Sequence, residues 1–132
     1  MYVAIKNKIC ALNILTWEVT NSKSFDEFDK ITKMKINKNE KQILCAGFNG
    51  VVMIIHAFTL EILIISKSST EFFNDLDFYE NENYILEVFD QQIRFMEYQN
   101  SRRHYEAYAS INFSSGNSIK SFDNYDNVFL FG

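Results

Sequence analysis

The stretch 42–56, QILCAGFNGVVMIIH, constrains the fold more than any other part of the chain. Ile43, Leu44 and Ala46 form one apolar run, and residues 51–55 form a second that is β-branched everywhere except Met53. Branched side chains suit a pleated, half-buried surface. Between the runs, Phe48-Asn49-Gly50 predicts a hairpin tip, with Asn49 and Gly50 both able to take the positive φ of a type I′ turn. The hairpin then recurs. Ile85 falls on Ile43, Leu86 on Leu44, Val88 on Ala46, Asp90-Gln91 on Asn49-Gly50, and Ile93-Arg94-Phe95 on Val52-Met53-Ile54. The offset is 42 residues before the tip and 41 after it. A steady period of ~40–45 residues marks one supersecondary unit stacked repeatedly.

The unit has four strands. Residues 31–36 (ITKMKI) alternate as a first strand, 37–41 (NKNEK) form a polar turn, the hairpin follows, and 60–65 (LEILII) make the fourth. In the next unit 74–78 alternate likewise, 80–83 (ENEN) predict the turn, and 104–110 the fourth strand. Toward the carboxyl end Ile119 falls on Leu76, 124–127 (NYDN) predict a polar turn, and 128–132 match 43–47. At the amino end Val3-Ala4 fall on Cys45-Ala46, and Asn7-Lys8 fall on Asn49-Gly50. Cys10 and Leu12 fall on Val52 and Ile54, and Thr16-Trp17-Glu18-Val19 match Thr59-Leu60-Glu61-Ile62 after one inserted residue. The reading is all-β: a partial unit over 1–30, full antiparallel units over 31–70 and 71–112, and a partial unit over 113–132.

A four-stranded unit of this length resembles the blade of a WD40-type β-propeller. Residues 43–63 are similar to that family's middle strands, hairpin tip and following T-x-E-L segment, and 90–95 (DQQIRF) resemble its D-x-x-I-R-x-W stretch. Ile55-His56 and Met96-Glu97 stand where the family carries its Trp-Asp pair, and no Gly-His pair is found. The resemblance, which covers essentially the whole chain, therefore implies blades held by apolar packing alone. It also implies a non-enzymatic module that binds protein partners on its loop faces without a cofactor, as a scaffold in a cytoplasmic or cytoskeletal assembly.

Four blades of ~42 residues would need about 168 residues, and this chain carries about three. It is expected to be part of a longer propeller, to self-associate, or to complete another protein's propeller. Two copies closing on each other would make a six-bladed ring. Two other classes stay open: a hydrolase on a propeller scaffold, with carboxylates or imidazoles converging at the channel, and a non-functional gene fragment.

Composition narrows the partners. A net charge of −4 without a basic stripe argues against nucleic acid. The most apolar stretch, 51–66, is broken by His56 and Glu61 and is shorter than the ~20 residues of a membrane helix, so no membrane partner is expected. Thirteen Phe against four Gly and no Pro leave the turns to Asn, Asp, Lys and Ser. Cys10 and Cys45 sit in apolar strands and read as small buried thiols rather than a disulfide.

Candidate sites are few. Phe25 and Phe28, among Asp26, Glu27 and Asp29, either anchor a partner peptide or tuck between neighbouring blades. The three carboxylates lack the spacing of a calcium loop, and two histidines with no matching cysteine quartet hold no zinc. Arg102 and Arg103, with His104 and Tyr105, form a turn that either binds a phosphate or acidic peptide or is simply solvated. Asp75, Asp77, Glu80 and Glu82 read as solvated surface, and His56 as a satisfied strand end. No nucleophile elbow, P-loop or dinucleotide fingerprint is present, so no catalytic residue is assigned.

Overall fold

The computed structural model describes residues 1–67, 74–79, 81–113, 122–125 and 128–131, the backbone alone for 81–82, 122–125 and 128–131. Thirteen strands among these residues form four antiparallel sheets in chain order. Blade 1 holds β1 (Tyr2–Ile5), β2 (Lys8–Leu12) and β3 (Val19–Ser24). Blade 2 holds β4 (Ile31–Ile36), β5 (Gln42–Gly47), β6 (Val51–His56) and β7 (Ile62–Lys67). Blade 3 holds β8 (Asp75–Tyr79), β9 (Asn81–Val88), β10 (Gln92–Gln99) and β11 (His104–Asn112). A final pair, β12 (Phe122–Tyr125) and β13 (Val128–Phe131), makes a two-stranded sheet.

Alternation decides which blade each residue faces. Ile43, Cys45, Met53 and Ile55 turn toward blade 1 and share a buried cluster with Ile9, Phe25 and Phe28. Leu44, Ala46, Val52 and Ile54 turn the other way and meet Leu76, Phe78, Ile85 and Met96 of blade 3. Each inner strand pair thus supplies two cores, so its apolar runs are nearly continuous rather than alternating.

Several expectations change in detail. The 48–50 tip closes with Gly50 N donating to Gly47 O (3.2 Å), but only Gly50 takes a positive φ, 77°. The loop is the three-residue kind with one left-handed glycine, not type I′. The 1–30 unit has a tip one residue shorter, with Ile5 paired to Lys8. Ile9, not Cys10, therefore occupies Val52's place, and the inserted residue lies in the tip itself. The fourth strand of blade 2 begins at Ile62 because Leu60 sits in the preceding turn with φ 57°. Asn81 already pairs with Tyr79, and Asn124 and Tyr125 pair with Phe129 and Val128, so 81–83 and 124–125 of the expected turns lie in strands, while 80, 126 and 127 lie outside the described residues. Ile119 lies outside the described residues.

Apolar packing is not alone between blades. Ser66 Oγ accepts from Tyr105 N (2.9 Å), Lys35 Nζ stands 3.8 Å from Asp75 Oδ1, and Asn21 Nδ2 donates to Phe58 O (3.0 Å). The Ser66–Tyr105 bond is buried and satisfies groups that the blade contact removes from water.

Candidate functional site

The turns after β2 and β6 are built alike. Trp17 N donates to Asn13 O (2.7 Å) and Leu60 N to His56 O (2.8 Å), placing Trp17 and Leu60 in the left-handed region at φ 60° and 57°. Asn13 Oδ1 accepts from Leu15 N and Thr16 N, and His56 Nδ1 accepts from Phe58 N and Thr59 N. His56 is thus a turn cap, as expected of a strand-end side chain. Glu18 N and Glu61 N each donate to the threonine two residues earlier, so the matched Thr16–Glu18 and Thr59–Glu61 segments make the same bonds. The turn after β10 repeats the backbone bond, Arg103 N to Gln99 O (2.8 Å), two residues later than the strand register implies.

Identical geometry has unequal surroundings. Leu60 is fully buried against blade 1, whereas Trp17, in the same place one blade earlier, is 68% exposed. Leu15 and Phe58, lifted from the two turns, are 88% and 70% exposed, and Ile14 and Val19 are exposed as well. Phe58 also borders an apolar cleft of about 500 Å³ with Met1, Tyr2, Met34, Ile36, Glu40 and Ile43. One side of blade 1 and the neighbouring turns therefore present a wide apolar surface.

The residues singled out in the sequence fall elsewhere. Phe25 and Phe28 take the packing alternative and are buried between blades 1 and 2. Their loop is pinned to both hairpin tips: Phe25 N donates to Asn7 O, Ile31 N to Lys6 O, and Asn49 Nδ2 to Glu27 O. Neither ring is available to a partner in the folded chain. Arg102 is held by Glu106, Nη1 to Oε1 at 2.5 Å, and His104 Nε2 reaches the same oxygen at 3.0 Å. The Arg102 hydrogen bond first, and His104 after it, hold the Glu106 carboxyl below its ordinary range. Arg103 is exposed beside them. The cluster ties Arg102, Glu106 and His104 into one exposed turn, with a single guanidinium nitrogen of Arg102 engaged by Glu106.

Asp75 and Asp77 overturn their expectation as solvated surface. Asp75 is buried and Asp77 half-buried, because β8 is the inner strand and packs against β4. Burial raises the Asp77 pKa, opposed by the Phe78 N–H (2.7 Å) and Lys35, and aided by Asp75. Among the described residues, no group of three or more His, Cys, Asp or Glu is placed to hold a metal. The acid–imidazole contact between Glu106 and His104 lies within one exposed strand, not at a junction of blades. Both thiols are free, and burial pushes Cys45 up to about 12. Among the described residues no helix is long and apolar enough to cross a membrane.

Comparison with solved structures names this architecture. The chain superposes on the WD40 β-propeller domain of Doa1 with a TM-score of 0.71 at 13% identity, covering 99% of this chain and 42% of that one. It superposes on the RRP9 WD40 repeats with a TM-score of 0.67 at 10% identity, covering 89% and 36%. The fold is that of WD40 propeller blades. The chain spans well under half the length of the propeller chains it matches. No protein-family model matches the sequence, and neither does any curated protein.

Proposed function

We propose that the chain is a non-enzymatic protein-interaction module, a scaffold segment that works when further β-structure or a partner covers its open blade face. The observation that supports this is the contrast between Leu60 and Trp17: one turn position, buried where blade 1 packs on it and exposed where none of the described residues covers it. A surface of exposed Trp, Phe, Leu and Ile has the composition of an interface centre. Self-association into a reciprocal six-bladed ring is one form of this completion, because among the described residues nothing pairs with the free edge of β1, and the β12–β13 pair of a second copy would supply a strand there.

The test is cross-linked affinity capture of the tagged chain beside Trp17→Glu and Phe58→Asp variants, with light scattering on each. Partners or self-association that vanish in both variants, while circular dichroism stays unchanged, support the module. Capture and mass indifferent to both changes would remove this face from the function.

A further inference from the structure

The turns after β2 and β6 share a backbone and differ in the atom that caps them. In blade 1, Asn13 Oδ1 accepts from Leu15 N at 2.9 Å and from Thr16 N at 3.3 Å. In blade 2, His56 Nδ1 accepts from Phe58 N at 3.2 Å and from Thr59 N at 3.3 Å. An amide oxygen stays an acceptor at any ordinary pH, and an imidazole nitrogen does not. Two N–H groups converging on Nδ1 assign the proton of the neutral ring to Nε2, so Nδ1 is the atom that takes up a proton in acid. Once protonated it is a donor facing two donors. The cap and the charged ring exclude each other.

This cap holds more than its own turn. Leu60 keeps φ 57°, a costly conformation for a residue with a side chain, through the bond from Leu60 N to His56 O at 2.8 Å. From there Leu60 is fully buried in the cluster that it shares with Ile9 and Phe25 of blade 1 and its following loop. Phe58 O accepts from Asn21 Nδ2 on β3 at 3.0 Å, a bond from blade 1 to blade 2. The 56–60 turn is therefore a fastening point between the two blades.

The charged groups around the turn offer the imidazolium no anchor. Glu61 follows the turn, Lys41 O accepts from Ala57 N, and Glu40 and the Met1 end of blade 1 border the cleft with Phe58. The equivalent turn of blade 3 carries Arg102, Arg103, His104 and Glu106, with Arg102 and His104 both held on Glu106. Among the described residues, no carboxylate forms an ion pair with His56. The Phe58 ring, 6.0 Å from the imidazole, rides on the turn itself.

We propose that His56 is a proton-operated latch between blades 1 and 2. Neutral, its Nδ1 caps the 56–60 turn and keeps Phe58 O on Asn21 and Leu60 in the inter-blade core. Protonated at Nδ1, it turns from acceptor to donor and releases both. Asn13, built into the same turn one blade earlier, has no such response.

The test is amide hydrogen exchange followed by NMR between about pH 8 and pH 5, the span in which imidazoles change charge. Protection of the Phe58 and Thr59 amides is read against that of Leu15 and Thr16, so the ordinary pH dependence of exchange cancels in the ratio. In the wild-type chain this ratio is expected to fall about tenfold or more on acidification, with the Asn21 side-chain amide signal shifting in step. His56→Asn, which writes blade 1's cap into blade 2, should hold the ratio constant, and His56→Ala should keep it low at every pH. His104, the other histidine, is present in all three chains, so the difference belongs to His56. A wild-type ratio constant across the range, a fall that persists in His56→Asn, or protected 58 and 59 amides in His56→Ala would overturn the proposal. So would an Asn21 side-chain signal indifferent to acid, which would confine the effect to the turn and leave the blades fastened.

Discussion

Blades 2 and 3 solve one packing problem with opposite materials. On the face that each turns to the preceding blade, β5 pairs Cys45 with Met53, and β9 pairs Glu87 with Arg94 in the corresponding places. All of blade 2's pair is apolar and buried; in blade 3, Glu87 is equally inaccessible and Arg94 Nε lies 3.9 Å from its carboxylate. The Arg94 guanidinium also stacks on Phe89, 4.0 Å from the ring centre. Phe89 in turn stands where blade 2 has Gly47. A Cβ on Gly47 would run into Phe28 Cδ1, so blade 2 borrows its aromatic ring from the loop before it. The lesson is that equivalent places in a repeat need equal volume filled, and the filler can come from the strand itself or from a neighbour.

The largest expected effect sharpens this contrast. Phe28→Ala opens the space above Gly47 and should cost about 3–5 kcal/mol in a denaturant titration, the range for an aromatic truncated in a core. Gly47→Ala should itself be destabilising, since the added methyl meets both the Phe28 ring and Asn49 Oδ1. A cost within error of wild type would mean that the ring fills nothing.

Next in size is the ion pair. Arg94→Met alone leaves Glu87 buried beside an apolar chain and should cost about 3 kcal/mol or more. Glu87→Cys with Arg94→Met writes blade 2's solution into blade 3, and a double-mutant cycle should show the second change restoring most of the stability. If the double variant is as unstable as the single, the two blades are not interchangeable at this position.

Smallest is the charge on the inner strand. Burial raises the Asp77 pKa, so the folded chain holds that proton to higher pH than the unfolded chain does. Ionisation of Asp77 therefore opposes folding: its cost is absent below the ordinary carboxylate range, grows through the raised value, and is complete above it. Asp77→Asn should accordingly be more stable than wild type at neutral pH, with the gap closing as the solution is acidified. A constant gap across pH would show that the charge is not its source.

Much of this was legible in the strand grammar. The 31–36 strand and the 48–50 tip lie where alternation and Asn-Gly put them, and Thr16–Glu18 and Thr59–Glu61, equivalent in the repeat, make the same bonds. These signals are local: the periodicity of a strand and the side-chain chemistry of a turn act within a few residues. Strand ends were less legible, because Leu60 and Arg103 take left-handed conformations that their types do not announce. Among site residues, Phe25 and Phe28 were visible as unusual, and Trp17 was visible only as a repeat match; nothing nearby in sequence says which ring a neighbouring blade will cover.

The sequence by itself determined the repeat, its four-strand unit and its near-constant spacing, since two-residue alternation and turn chemistry need no distant partner. Only the tertiary structure decided burial: that Phe28 sits on Gly47, that Asp75 is enclosed, that Glu87 is inaccessible, and that Trp17 is bare where Leu60 is covered. Burial belongs to pairs of surfaces, and those surfaces come from different blades, far beyond the reach of local turn and strand signals.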